Sequence, residues 1–156
     1  MAVIEQAIKE AIAAREKAIT FKTSVGAAIT TKDGNIFSGF NIESYGYFFE
    51  LHAEGMAVIN GMQDGYHGTD YDTLVVIFQS GWHGTNEVFP GCPYCWAFLN
   101  DFTNPDLKIV CATTTGTVIY STTLKQCIHP PSPATLYPSD LIRKVKPRLG
   151  TEPKIK

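Results

Sequence analysis

Two short stretches of the chain carry residue types suited to metal chemistry: His52-Ala53-Glu54 and Cys92-Pro93-Tyr94-Cys95. Each stands where a helix is expected to begin after a loop, so both helices would emerge at one edge of a sheet. Cysteines three apart in a first helical turn project from one face, and the helix dipole with its free N–H groups favours the thiolate that a metal needs. His52, Cys92 and Cys95 make three Zn²⁺ ligands, one ion per chain, and leave the fourth tetrahedral position to water, as in a catalytic rather than a closed structural site. A closed site needs a fourth ligand at a similarly regular spacing. Cys111 is expected in mid-strand, Cys127 and His129 beyond the last strand, and His67 and His83 in loops. Glu54, two residues after His52, is placed to reach the water rather than the ion and to carry its proton to a substrate nitrogen. The plainer alternative is a buried cysteine pair and a helix-capping histidine.

The elements that must hold these residues follow from periodicity. Residues 2–19 carry an i, i+3, i+4, i+7 stripe of Val3, Ile4, Ala7, Ile8, Ala11 and Ile12 and predict an amphipathic helix. Strands are predicted at 24–31 and 35–41, joined by Lys32-Asp33-Gly34, where Asp-Gly supplies the positive φ of a tight hairpin turn. A helix over 52–62, a strand over 72–79 with the apolar run of a doubly covered strand, a helix over 92–102 and a strand over 107–112 come next. Residues 113–116 are too few for a crossover helix, so 117–121 is expected to return antiparallel to the strand before it. A short helix near 138–144 would close the domain. The order α-β-β-α-β-α-β-β-α predicts a three-layer α/β/α sandwich with a mixed five-stranded sheet whose last two strands are antiparallel.

The 156 residues suit one domain, placed at 1–145, followed by a basic tail at 146–156. That size buries a core without needing a metal to fold. Apolar residues at 44 %, charged residues at 18 % and a net charge of −2 exclude a disordered chain or a nucleic-acid polyelectrolyte. Six of the thirteen basic residues fall in the last fourteen positions, but that tail has no aromatic residue on which a base could stack. The start MAVIEQAIKE has no basic leader or continuous apolar stretch, and no run approaches a membrane span. The expectation is a cytoplasmic protein whose four cysteines are reduced thiols, with no membrane partner and nucleic acid an unlikely one.

His-x-Glu followed by Pro-Cys-x-x-Cys is the pattern of zinc-dependent nucleobase deaminases, nearly intact here. From about Ser24 to Leu141 the chain resembles the cytidine deaminase family. Ser24-Val25-Gly26-Ala27-Ala28 is similar to the family's first strand and Asn41-Ile42-Glu43-Ser44 to its Asn-x-Glu nucleoside motif. Phe98-Leu99-Asn100-Asp101-Phe102 resembles the helix after the second cysteine, and Leu136-Tyr137-Pro138-Ser139-Asp140-Leu141 the C-terminal Leu-Leu-Pro segment. The resemblance implies hydrolysis of cytidine or deoxycytidine to the uridine product and ammonia, with Glu54 catalytic and His52, Cys92 and Cys95 on zinc. It further implies that Asn41 and Glu43 hold the ribose 3′-hydroxyl, that the Ala53 N–H and the backbone near Cys92 orient the base, and that the chain is a homotetramer or homodimer. An antiparallel final hairpin agrees with the branch that takes free nucleosides rather than polynucleotides.

The chain departs from the family at several positions. His52 stands where small tetrameric members have cysteine, Trp96-Ala97 where Arg-Gln is common, and Thr23 where a base-stacking Phe is usual, with Phe21 close by. Gly91 separates the expected Pro-Cys, and the loop before it is long, with Trp82, His83 and Asn86 able to reach a pocket. By the resemblance, Tyr45, Tyr47, Phe48 and Phe49 of the aromatic loop would line a pocket or a subunit interface, the alternative being simple packing of a long loop onto the sheet. Another aminated heterocycle, single-stranded nucleic acid, or a non-catalytic zinc-stabilised binding role are the alternatives.

Overall fold

A computed structural model describes residues 2–46, 50–77 and 91–128. Asp33-Gly34 turns the chain as its composition demands, with Gly34 at φ 93°, and joins β1 (Gly26–Thr31) to β2 (Ile36–Phe40) in an antiparallel hairpin. β3 (Tyr71–Ile77) lies antiparallel on the other side of β1, β4 (Lys108–Ala112) parallel to β3, and β5 (Val118–Thr123) antiparallel to β4. The sheet order is β2-β1-β3-β4-β5, the mixed five-stranded sheet with an antiparallel last pair that the sequence predicts.

Alternation along the strands sends side chains to two separate cores. Ala27, Ile29, Leu74, Val76, Ile109 and Cys111 face one side, where α2 (Ala53–Gln63), α3 (Pro93–Phe102) and α4 (Leu124–Ile128) contribute Ala57, Val58, Trp96, Leu99, Leu124 and Cys127. Ala28, Val75, Ile77, Val110 and Ala112 face the other, where α1 (Ala2–Arg15) lays down Ala7, Ile8 and Ala11. Helices therefore cover both faces, and each fully buried aliphatic side chain contributes roughly 1.5–3 kcal/mol. β2 and β3 both oppose β1, so the C-terminal ends of β2, β3 and β4 meet at one edge of the sheet. The chain enters α2 and α3 from that edge.

Local differences have local causes. α1 ends at Arg15 rather than near 19, because Ile19 leaves the helix to bridge Ile42 and the Arg15 guanidinium donates to the Ser24 carbonyl at 3.0 Å. α4 is an additional short helix, opened by a reciprocal cap. Gln126 N–H donates to Thr123 Oγ1 at 3.4 Å, and Thr123 N–H donates to Gln126 Oε1 at 3.1 Å. Gly39 admits α2 against β2, since a Cβ there would lie 2.5 Å from both Ala53 O and Ala57 N. The expected helix near 138–144, the basic tail, the loop with Trp82, His83 and Asn86, and Tyr47, Phe48 and Phe49 lie outside the described residues.

Candidate metal centre and active site

His52 and Cys92 are the residues that open α2 and α3, each in extended conformation just before the first helical residue. Pro93 fits the first turn of α3 because its missing N–H is one the helix could not satisfy there. Cys92 Sγ accepts from the Cys95 N–H at 3.4 Å, a helix-opening bond that aims both sulfurs the same way. His52 makes no side-chain cap bond, so its imidazole is free to turn toward α3.

There the three groups meet. His52 Nδ1 lies 3.0 Å from Cys95 Sγ and 3.4 Å from Cys92 Sγ, and the two sulfurs are 3.3 Å apart. A tetrahedral zinc with ordinary bond lengths separates two thiolates by about 3.8 Å and a thiolate from an imidazole nitrogen by about 3.5 Å. One nitrogen and two sulfurs already near those separations fit one Zn²⁺ with small outward adjustments. Among the described residues this is the group of His, Cys, Asp and Glu side chains able to hold a metal.

Charge follows from the crowding. A shared proton with Cys95 holds the Cys92 thiol well below its usual range, against the effect of burial and helped by His52; the same sharing, with burial and the charge of Glu54, pushes Cys95 up. His52 is raised, first by its hydrogen bond to Cys92 and against its own burial, then by the charges of Cys92, Glu54 and Glu50. Its far nitrogen, Nε2, faces Glu50 Oε2 at 3.9 Å. Glu50 is a site residue the sequence reading passed over. The available signal was its spacing, since an acid two residues before a ligand on extended chain lies on the ligand's side.

Glu54, in the first turn of α2, is only 5 % exposed. Burial pushes its carboxyl up; its own backbone N–H and the His52 charge oppose that, Cys92 adds to it, and a hydrogen bond with Cys95 lowers it again. Ala53 is fully buried beside it. Gly91, at φ 103°, closes the other side: a Cβ there would lie 3.2 Å from Glu54 Oε1 and 3.3 Å from Trp96 Nε1. Trp96, standing where Arg is common, belongs to the core beneath the site. Cys111 and Cys127 stay apart as buried thiols pushed up to about 12 and about 11, chiefly by burial.

A three-layer sandwich with a His-Cys-Cys group at the open ends of its strands and a buried glutamate beside it narrows the comparison sharply. The profile described as cytidine and deoxycytidylate deaminase zinc-binding region matches residues 1–113. The chain belongs to this deaminase family. As a member it is an enzyme, a hydrolase of carbon–nitrogen bonds. The cytidine deaminase of Sporosarcina psychrophila is 29 % identical over 124 residues, 78 % of this chain and 86 % of its own. That of Halalkalibacterium halodurans is 32 % identical over 104 residues, 65 % of this chain and 74 % of its own. The crystal structure of cytidine deaminase from Burkholderia pseudomallei superposes with a TM-score of 0.69 at 28 % identity, covering 81 % of this chain and 96 % of that one. The Mycobacterium leprae structure, at 23 % identity and a TM-score of 0.61, shares the fold.

The remaining site residues named from the sequence gather in a second group. The Asn41 amide accepts from the Val25 N–H and donates to the Thr23 carbonyl, both at 2.7 Å, and the Glu43 carboxylate accepts from the N–H groups of residues 21–23. Phe21 is 69 % exposed and meets Tyr45 edge to face, their ring centroids 6.0 Å apart. This group reaches the metal centre through the backbone, since Ile42 pairs in both directions with Leu51, the residue before His52.

Proposed function

We propose that the chain deaminates a free pyrimidine nucleoside, converting cytidine or deoxycytidine to the uridine product and ammonia. The observation that carries this reading is the buried Glu54 carboxyl beside His52, Cys92 and Cys95, a proton carrier set against a group able to hold a metal. His52 Nδ1 and the two cysteine sulfurs would hold one Zn²⁺ by three protein atoms, leaving a position for water. Bound there, the ion supplies Lewis acidity that brings the pKa of water to about 7.

The work of the chain is proton movement and orientation. Glu54 takes a proton from water and gives it to N3 of the base, which makes C4 electrophilic so that the hydroxide left behind adds there. It then carries the proton of that added hydroxyl to the exocyclic nitrogen, and the C4–N bond breaks to give ammonia and the C4 carbonyl of the uridine product. A carboxyl raised by burial suits both directions, because its proton affinity moves toward that of the groups it serves. The Ala53 N–H, at the start of α2, and the backbone near Cys92 orient the base. Asn41 and Glu43 mark the wall at which the ribose lies, and Phe21 is the aromatic candidate that the resemblance offers for contact with the base.

The antiparallel β4–β5 hairpin favours a small substrate, on the resemblance that associates it with free-nucleoside deaminases. A homodimer or homotetramer is the proposed assembly, and the exposed Val118, Ile119 and Tyr120 of β5 offer it an apolar surface. A domain spanning 1–145 and a reducing cytoplasm, where four cysteines outside any disulfide persist as thiols, complete the reading. Ammonia release from cytidine, deoxycytidine, dCMP, cytosine, adenosine, guanine and single-stranded DNA tests it. The expected result is turnover of cytidine or deoxycytidine well above the rest, and turnover confined to the polynucleotide or to purines would overturn it.

A further inference from the structure

An imidazole that binds a metal through one ring nitrogen carries its proton on the other, and that N–H needs an acceptor to fix the turn of the ring. A thiolate in the same place leaves nothing to orient. His52 stands where small tetrameric members of the family have cysteine, and it directs Nδ1 at the two sulfurs, 3.0 Å from that of Cys95 and 3.4 Å from that of Cys92. The nitrogen left over is Nε2. The acid that faces it is Glu50, whose Oε2 lies 3.9 Å away, and among the described residues His52 is the partner that this carboxylate has.

Backbone geometry brings the pair together. Ile42 and Leu51 exchange hydrogen bonds at 2.9 and 3.1 Å, and this bridge pins the residue between Glu50 and His52 to the chain that leaves β2. His52 is extended, at φ −87° and ψ 148°, and residues two apart on extended chain turn their side chains to one side. The Tyr94 ring, in the first turn of α3, also meets the imidazole, at a centroid separation of 5.9 Å and a tilt of 54°. Glu50 stays outside the metal group itself, whose three ligand atoms come from His52, Cys92 and Cys95. Its 3.9 Å contact is an ion-pair separation, about 1 Å longer than an N–H···O hydrogen bond, and a side chain 41 % exposed can close that gap by rotation.

We propose that Glu50 is a positioning residue for the metal: in the zinc-loaded chain it accepts the Nε2–H of His52 and holds the imidazole at the turn that presents Nδ1 to the ion beside Cys92 and Cys95. A carboxylate behind a ligating imidazole makes the nitrogen a better donor and limits its rotation. It does so without adding a fourth protein ligand, which would close the position left for water. The inference rests on the zinc reading of the site and is independent of which base or sugar is bound.

Zinc affinity of the full chain and of its Glu50→Ala and Glu50→Gln variants is measured by competition with a chromophoric chelator, and nuclear magnetic resonance of isotope-labelled histidine follows the Nε2–H of His52 in the zinc-loaded proteins. Glu50→Ala is expected to weaken zinc binding about tenfold, the low end of what such partners contribute, because both side chains are partly exposed. Glu50→Gln, whose amide oxygen can still accept, recovers part of the loss. The Nε2 proton resonates downfield and exchanges slowly in the unaltered chain, and in Glu50→Ala it moves upfield and exchanges faster, a change that a merely structural role would not produce. With Co²⁺ in place of zinc, the visible bands keep their tetrahedral intensity in Glu50→Ala, since all three ligands remain. Unchanged zinc affinity with an unmoved Nε2 proton in Glu50→Ala, or a Glu50→Gln variant as weak as Glu50→Ala, would overturn the proposal. Collapse of the cobalt bands would overturn it too, by making Glu50 a ligand in its own right. An unaltered chain that binds no zinc defeats the zinc reading and the proposal together, whereas zinc bound with indifference to Glu50 defeats the proposal alone.

Discussion

The carboxylate of Glu54 packs against the bare Cα of Gly91, with so little room that an added Cβ would stand 3.2 Å from Oε1. Gly91 is the residue that separates Pro90 from Cys92, so a one-residue departure from the family pattern forms a wall of the site itself. Its φ of 103° also places it where side chains are strained. Gly34 shares that strain at φ 93° but has open space around the missing Cβ, which makes it the matched control. Gly91→Ala should lower kcat about 10- to 100-fold through displacement of Glu54, with zinc content retained, while Gly34→Ala changes kcat less than about threefold. Steady-state kinetics beside zinc analysis decides it, and equal losses in the two variants would remove Gly91 from any positioning role.

The proposed proton carrier makes a separate prediction. Glu54→Gln keeps the size and burial of the side chain and leaves His52, Cys92 and Cys95 in place, so zinc should bind at one ion per chain as before. Turnover should fall by roughly 10²- to 10⁴-fold, the range general acid–base catalysis supplies. Deamination within a few-fold of the unaltered chain would refute the assignment.

The metal group was legible in the sequence because each half of it is local: His-x-Glu and Cys-x-x-Cys open helices, and helix geometry alone aims their side chains. The sheet was legible for the same kind of reason, an Asp-Gly turn at one end and too short a connection for a crossover at the other. What escaped depends on chain that folds back. That Asn41 and Glu43 grip residues 21–25 requires Ile19 to leave α1 and pair with Ile42, and no periodicity announces such a departure. α4 did carry a signal, Thr123 with Gln126 three residues on, but a five-residue helix is too short to show an apolar stripe.

Removing zinc should cost activity and leave the fold. The two cores on either face of the sheet, as built from the described residues, contain none of the three ligands, although Cys95 is itself buried. The chain is therefore unlike small metal domains, in which binding free energy is folding free energy. Chelation should abolish deamination, keep far- and near-ultraviolet circular dichroism, and lower Tm to a degree set by free zinc concentration. Added zinc should restore activity. Cys111→Ala and Cys127→Ala, which remove buried thiols outside the metal group, should leave zinc stoichiometry unchanged. Loss of the near-ultraviolet signal on chelation would show that the ion holds the core together.

Asp33 gives the stability of the hairpin a pH dependence whose sign is fixed. Its carboxylate accepts from Thr31 Oγ1 and from Tyr66 Oη, the latter at 2.8 Å, tying the β1–β2 turn to the chain leading into β3. Hydrogen bonds from Thr31, Tyr66 and Asn35 hold its pKa at about 2, against 3.8 for an ordinary aspartate. A group whose pKa is depressed on folding stabilises the native state above its unfolded value and loses that contribution as pH falls through its folded value. Asp33→Asn should therefore lower the urea midpoint at pH 6, and the gap between the two proteins should narrow below pH ~4 and close near pH ~2. Because the comparison is a difference between proteins alike at every other titrating group, the narrowing reports Asp33 itself. A gap that stays constant from pH 6 down to the acid limit would mean that the turn gains nothing from the charge on Asp33.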